Sequence, residues 1–250
     1  MDVGPVSGVI IGWLIFRAVL ASTLWSIWKS RNRFLYQNVT IDPVFTFKQA
    51  EELIQEYWTA KGWNNATDAI NEGAEKKSED KANWSLPHDN ALKINVDCAL
   101  TPDEAIAAIA FVVRDSNGWV LDGASRIIAA DSSLMAKGAA LQLAMNYAYE
   151  NDLDEVIFES DNQNLINCLN NNAPSPGWRN YVILENLQFS RNRLRSHSCS
   201  WIPKEANSVA DWVARASLAG SCPTDWVMRP PPLLRKLIES DLCKAKTNVG

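Results

Sequence analysis

The segment KINVDCAL, residues 93–100, reads as a buried β-strand that carries a carboxylate, Asp97, near its middle. A carboxylate in an apolar strand is costly unless another group pairs with it. We therefore expect the rest of the chain to supply both the remainder of a sheet and a partner for this charge.

The segments that follow indicate the fold. AIAAIAFVVRD (105–115) and WVLDGASRII (119–128) read as two further strands joined by the turn signal SNG (116–118). Helix-like and strand-like segments then alternate: helix 131–151, strand 154–161, helices 162–171 and 179–194, strand 196–203 and helix 205–220. Asp131 or Ser132 can cap the first of these helices, and Gly220 can end the last. The order βββαβααβα predicts an α/β fold with a five-stranded mixed sheet flanked by helices.

Composition divides the chain into four parts. Residues 1–60 are predicted to form a helical N-terminal extension, 61–83 a polar linker, 84–220 the α/β domain and 221–250 a C-terminal tail. The tail contains RPPP, and we expect no regular core element in it. The apolar stretch 8–28 has Arg17 near its centre, so we expect it not to span a membrane.

Charge and cysteine content narrow the classes of function. The net charge of −5 argues against strong non-specific binding of nucleic acid, which requires Lys and Arg for its phosphates. Five cysteines without a CxxC pair argue against a zinc knuckle, and two histidines against a His-rich metal site. Widely spaced cysteines in odd number favour reduced thiols in an intracellular protein of the nucleus or cytoplasm.

Three carboxylates fall at element boundaries where they could meet. Asp97 and Asp161 lie toward the ends of the first and fourth strands, and Asp211 lies in the first turns of the last helix. Each has a structural alternative: a strand-end turn for Asp97, a helix N-cap for Asp161 and a favourable helix dipole for Asp211. Because the carboxyl ends of parallel strands meet at one edge of a sheet, the three together suggest a shared cation.

The chain resembles a known family in several short sequence words. NVDCA (95–99), ESDNQ (159–163) and KEANSVAD (204–211), in this order, resemble the type 1 ribonuclease H family. VVRDSNGWVL (112–121) and, more loosely, LWSIWKSRNRFLYQN (24–38) are similar to the plant retroelement-derived, non-LTR reverse-transcriptase-like members of that family. The resemblance implies an RNase H-like fold over residues 84–220.

The resemblance also implies an activity, which is hydrolysis of the RNA strand of an RNA–DNA hybrid by two Mg²⁺ ions. Carried over to this chain, Asp97 would bridge both metals, Asp161 would hold the metal at the leaving group and Asp211 the metal that activates water. Carboxylate and water ligands suit Mg²⁺.

The chain departs from the family at a fourth metal ligand. The family has Glu in an AEA word on the first helix after the three strands, and this chain has AKG, residues 136–138, with Lys137 at the position of the Glu. Cys98 also stands where the family usually has Gly. We therefore expect a hybrid ribonuclease with weakened catalysis. The alternative is a catalytically inactive nucleic-acid-binding or interaction module.

Candidate substrate contacts lie in one basic cluster and in one short sequence word. The candidate basic cluster for phosphate contacts contains Arg191, Arg193 and Arg195, with a solvated helix face as its alternative. Lys204 and Asn207 lie in the family's (R/K)E-x-N word, where they would contact substrate or order the loop.

Overall fold

The structure is a computed structural model, and it describes residues 8–60, 83–103, 105–171 and 178–247. The chain divides into two compact units, Met1–Gly73 and Ala74–Gly250. Except for its final residue, the linker predicted at 61–83 lies outside the described residues.

The first unit contains two helices, α1 (Gly8–Gln37) and α2 (Pro43–Ala60). Asp42 caps α2, because its Oδ1 accepts hydrogen bonds from the backbone N–H groups of Val44 and Phe45 at 2.9 and 3.2 Å. An apolar groove of about 350 Å³ lies between the helices. Within the described residues, we find no helix with the length and hydropathy needed to cross a bilayer.

The second unit is built on a five-stranded sheet. Its strands are β1 (Leu92–Leu100), β2 (Ile106–Arg114), β3 (Val120–Ala129), β4 (Val156–Ser160) and β5 (His197–Trp201). They lie in the order β3-β2-β1-β4-β5, with β1, β2 and β3 antiparallel and β1, β4 and β5 parallel. The predicted mixed sheet is confirmed.

Helices connect and cover the strands. They are α3 (Ser133–Glu150), α4 (Gln163–Asn171), α5 (Trp178–Arg191), α6 (Ser208–Leu218) and α7 (Pro232–Thr247), with a 3₁₀ turn (Lys204–Asn207) before α6. Ser132 caps α3 by accepting a hydrogen bond from the N–H of Met135 at 3.3 Å, as expected. A Cβ added at Gly138 would lie 2.5 Å from Cγ1 of Ile183, so this glycine allows α5 to approach α3 closely.

Apolar residues fill both faces of the sheet. On one face, Ile94, Phe111 and Phe158 pack with residues of α3, including Leu141 and Met145. On the other face the core contains residues of β2, α6 and the C-terminal segment: Ala110, Val112, Val209, Val213, Trp226 and Leu234. This second set covers the face of the sheet that carries Asp97, and the burial of its apolar surface stabilises the packing of α6 and the C-terminal segment on that face.

The expectation for the C-terminal tail is wrong. Residues 232–247 form α7, and Trp226 and Leu234 are buried in the core. Gly123 makes room for this segment, because a Cβ there would lie 2.5 Å from the Trp226 ring. The last proline of RPPP, Pro232, is the first residue of α7, where Pro is tolerated because it lies in the first turn of the helix. The tail is therefore part of the second unit.

A buried ionic cluster lies between the sheet, α7 and the segment before β1. Lys93 pairs with Glu159 at 2.6 Å, and Glu159 also accepts hydrogen bonds from Asn95 and from the indole of Trp84. Next to it, Arg114 pairs with Asp241 of α7 at 2.9 Å and lies 4.1 Å from the centre of the Trp84 ring. Buried charges require such partners, so α7 completes the electrostatic balance of this face.

Candidate functional site

Asp97 and Asp161 meet at one edge of the sheet. β1 and β4 run parallel with Val96 opposite Ser160, so the next residue of each chain segment, Asp97 and Asp161, reaches the same edge. Asp97 is only 2% exposed, and its Oδ1 accepts a hydrogen bond from the N–H of Cys98 at 2.8 Å. The structure thus brings together the two strand-end carboxylates that the sequence singled out.

Lys137 joins the two carboxylates. Its position near the start of α3 directs the side chain to this edge, where Nζ lies 3.3 Å from Oδ1 of Asp97. The same ammonium group donates a hydrogen bond to Oδ1 of Asp161. One cation therefore pairs with two carboxylates, which answers the question of what compensates the charge of Asp97.

Burial and neighbouring charges determine the ionisation of this cluster. Burial raises the pKa of Asp97 to about 6, against the lowering effect of Lys137, while Asp161 raises it further. Burial alone would lower the pKa of Lys137, but Asp97 and Asp161 outweigh it and the pKa is raised, so the amine is charged at neutral pH. Burial and the charge of Asp97 also raise the pKa of the Cys98 thiol to about 12, which excludes a thiolate nucleophile at neutral pH.

Asp211 lies near this cluster but has a partner of its own. It is in the first turns of α6, and its carboxylate pairs with Arg215 one turn later at 2.9 Å. Its charge makes the smallest of the contributions that raise the pKa of Asp97. Asp211 is thus in electrostatic range of Asp97, while its ion pair is directed along its own helix.

The residues of this edge do not fit the two Mg²⁺ ions that the resemblance implies. The ammonium group of Lys137 contacts one oxygen, Oδ1, of each of Asp97 and Asp161, and Arg215 contacts both oxygens of Asp211. Across the described part of the chain, no group of three or more His, Cys, Asp or Glu residues is arranged to hold a metal ion. A cationic amine among the ligands also opposes a divalent cation electrostatically.

The predicted basic cluster lies at the opposite ends of the parallel strands from Asp97 and Asp161. Arg195 comes two residues before β5, whose first residue, His197, pairs with the first residue of β4, so the cluster is at the amino ends of the parallel strands. Arg191 donates hydrogen bonds to His197 and to the carbonyl of Leu169. These contacts explain Arg191 by the packing of the domain.

The other two arginines of the cluster also have protein partners. Arg193 stacks over the ring of Tyr149 at 3.7 Å, and Arg195 lies 3.7 Å from both Asp152 and Asp154. The structure therefore does not bring this cluster together with the carboxylates.

Lys204 and Asn207 lie in the 3₁₀ turn before α6. Asn207 is buried and donates a hydrogen bond to the carbonyl of Val96 at 2.9 Å, which ties this turn to β1 one residue before Asp97. Lys204 is exposed. Of this pair, Asn207 orders the loop and Lys204 is accessible to a ligand.

Trp201 lies at the carboxylate edge, although no sequence motif indicated it. It ends β5, is 36% exposed, and its indole N–H donates to the carbonyl of Asp161 at 3.2 Å. An indole positioned by the backbone of Asp161 presents an aromatic surface next to the carboxylates. The signal in the sequence was a large aromatic residue at the end of a strand predicted to reach the same edge.

A known family and several solved structures are similar to part of this chain. Residues 95–217, just under half of the chain, match the reverse transcriptase-like family. None of the curated proteins matches the sequence. The matched segment runs from β1 to α6 and includes Asp97, Lys137, Asp161 and Asp211.

Solved structures of ribonucleases H are similar to this chain. RNase H1 from Halobacterium salinarum NRC-1 shares 18% identity with a TM-score of 0.49, over 52% of this chain and 98% of that one. LC11-RNase H1, isolated from compost and solved with an RNA/DNA hybrid, shares 17% identity with a TM-score of 0.48, over 53% of this chain and 99% of that one.

The order and direction of the strands, together with the flanking helices, define the fold of the second unit. The second unit has an RNase H-like fold, with a mixed five-stranded sheet flanked by helices. Within this unit, residues 95–217 are similar to the reverse transcriptase-like family, and in the sequence they follow the two N-terminal helices.

Proposed function

We propose that the RNase H-like domain binds nucleic acid, with an RNA–DNA hybrid as its substrate class, and that its Mg²⁺-dependent hydrolysis is weakened or lost. The observation that carries this proposal is the ammonium group of Lys137 between Asp97 and Asp161. Plant retroelement origin, by resemblance, is part of the same proposal.

The positive charge of Lys137 opposes the binding of Mg²⁺ at this site. Replacing a Glu by Lys137 changes the local charge by two units, in a site where Asp97 is buried. At about 4 Å and an effective dielectric near 20, each pair of unit charges interacts by about 4 kcal/mol. A divalent ion at this edge would therefore be repelled by an amine that already satisfies the carboxylates.

Retention of the three aspartates supports the nucleic-acid part of the proposal. Asp97, Asp161 and Asp211 stand in the three family words and inside the matched segment. The resemblance to ribonucleases H supports an RNA–DNA hybrid as the substrate class, while the cation at position 137 argues against a metal-loaded site. The two together favour a domain that binds a hybrid and cleaves it slowly or not at all.

The first experiment compares the wild-type protein with Lys137→Glu and Lys137→Gln. Binding is measured by fluorescence anisotropy of a labelled RNA–DNA hybrid without metal, Mg²⁺ affinity by calorimetry, and cleavage by gel analysis of the labelled RNA strand. Lys137→Glu restores four carboxylates, so it should bind Mg²⁺ more tightly and gain cleavage. Lys137→Gln removes the cation without adding a ligand and should gain less.

The outcomes separate the readings. Hybrid binding by the wild type with no cleavage, and cleavage gained in Lys137→Glu, would support the proposal. Hybrid binding without cleavage in all three proteins would favour a binding module. Strong wild-type cleavage that Asp97→Asn abolishes and Lys137→Glu leaves unchanged would contradict the role given to Lys137.

We also propose an intracellular location, in the nucleus or the cytoplasm. None of the five cysteines forms a disulfide, and Cys98 and Cys199 are buried. Thiols in this state are typical of a reducing compartment. Imaging of a fluorescently tagged protein checks this, and accumulation in the secretory pathway would contradict it.

A further inference from the structure

The exposed cations of the second unit are concentrated on α7, away from the arginine cluster found in the sequence. Arg235, Lys236, Lys244 and Lys246 are all exposed. Among the described residues, Arg235, Lys236 and Lys246 form no ion pair, whereas each arginine of the cluster at 191–195 has a protein partner. Positive charge that is not used by the fold is therefore available on this helix.

The way α7 packs explains why its cations face solvent. Leu234, Asp241 and Ala245 are buried against the domain and lie seven and then four residues apart, which places them on one side of a helix. The opposite side is consequently exposed. Asp241 pairs with the buried Arg114 and also interacts electrostatically with Lys244, so it offsets part of the charge of Lys244.

The exposed side of α7 is cationic in a protein that is acidic overall. Four exposed cations stand against one exposed acid on this helix, Glu239, whereas the whole chain has a net charge of −5. Arg235 and Lys246 are separated by about three turns and lie near one line along the helix, roughly 16 Å apart. This distance covers about five phosphates of one nucleic-acid strand, which are about 3.4 Å apart along the axis.

Packing connects α7 to the carboxylate edge. Ala245 in the last turn of α7 forms a buried cluster with Trp84 and with Ala206 of the 3₁₀ turn. That turn carries the exposed Lys204, and beside it the exposed Glu205, and it is tied to β1 through Asn207. The cations of α7 and Lys204 therefore belong to neighbouring elements that lead toward Asp97.

We propose that the solvent-facing side of α7, with Lys204, is a phosphate-binding surface for the backbone of a nucleic acid that reaches the carboxylate edge. This inference rests on the proposed function and identifies a surface for it. Such binding depends on charge and spacing and does not depend on base sequence, because contacts to phosphates carry no sequence information. It also reconciles nucleic-acid binding with the acidic net charge, since the positive charge is local.

The test compares three full-length proteins on the same labelled RNA–DNA hybrid over a range of salt concentrations. The α7 variant changes Arg235, Lys236, Lys244 and Lys246 to Gln, a good helix former that keeps the exposed helix intact. The matched control changes four other exposed cations to Gln: Lys29, Arg31, Lys48 and Arg126. Both variants alter the net charge equally, and circular dichroism checks that both are folded.

We expect the α7 variant to bind more weakly and with a shallower dependence on salt. The slope of log K against log salt should decrease in magnitude by about one for each phosphate contact removed, hence by about two or more, for hybrids of any sequence. The control should retain the wild-type slope.

Two different failures can be told apart. If wild type and α7 variant bind the hybrid with the same affinity and slope, this surface is wrong and the proposed function stands. If the wild type binds no hybrid, the proposed function fails as well. Binding of the wild type to phosphatidylserine vesicles without binding to hybrid would identify a membrane surface and overturn the inference.

Discussion

The pair Arg114 and Asp241 provides a sharp test of how the C-terminal helix is held. Arg114 is fully buried. Among the described residues, the one hydrogen bond of its guanidinium group goes from Nη1 to Asp241 at 2.9 Å. Nε and Nη2 have no hydrogen-bond partner in the described part of the chain. Asp241→Asn therefore removes the nearest anion from a buried guanidinium group while preserving the shape of the side chain.

The expected loss of stability is large. Removing one partner of a buried ion pair costs about 3–5 kcal/mol, because the other charge remains in a poorly solvated site. The total free energy of unfolding of a native protein is about 5–15 kcal/mol, so this loss is a large part of it. For a domain of this size, about 3–5 kcal/mol corresponds to a fall of roughly 6–20 °C in Tm.

Urea unfolding, monitored by tryptophan fluorescence, measures the effect. The matched control is Asp225→Asn, which removes an exposed ion pair with Arg229 at 3.9 Å and should cost about 1 kcal/mol or less. The double change Arg114→Met with Asp241→Leu should recover most of the loss, since an apolar pair replaces the buried charges. A cost for Asp241→Asn no larger than that of Asp225→Asn would refute the reasoning, because α7 would then not balance the charge of Arg114.

Two further predictions concern the region of Lys137. Gly138→Ala should destabilise the domain by about 1–3 kcal/mol, because the new Cβ would lie 2.5 Å from Ile183. In an Ile183→Ala background the same change should cause no loss of stability. Urea unfolding measures both losses, and an equal loss in the two backgrounds would exclude the clash. Lys137→Met should raise the pKa of Asp97 above its wild-type value of about 6, because the ammonium group that lowers it is lost. Carboxyl ¹³C NMR titration measures this, Lys204→Met is the exposed control, and an unchanged titration of Asp97 would contradict the contact. Since burial raises the folded-state pKa of Asp97 above its ordinary value of 3.8, its contribution to stability should fall as pH increases from about 4 to about 6 in the wild type.

The order of elements could be predicted from the sequence because it depends on local patterns. Strands of apolar residues, the SNG turn and the cap at Ser132 each act over a few residues, and all were found in the structure. The sequence also predicted that two strand-end aspartates, Asp97 and Asp161, lie near each other, because parallel strands end at the same side of the sheet. The candidate site was predictable to that extent.

The failures came from contacts between distant residues. The tail looked irregular because RPPP breaks local structure. Its packing on the sheet depends on Gly123, which lies 103 residues before Trp226 and leaves space for the Trp226 ring. The arginines at 191–195 looked like a ligand surface because their partners, such as Tyr149 and Asp152, lie on other elements. Local sequence cannot reveal whether a charge is already paired across the fold.

The sequence by itself determined the RNase H-like arrangement of strands and helices, and it places Lys137 where the resemblance implies a metal-binding glutamate. These properties follow from periodicity and from the identity of residues at fixed spacing. Only the tertiary structure decided that the ammonium group of Lys137 pairs with both Asp97 and Asp161, and that Asp211 pairs with Arg215. It also decided which cations remain on the surface, because burial and pairing depend on how α3, α6 and α7 pack on the sheet.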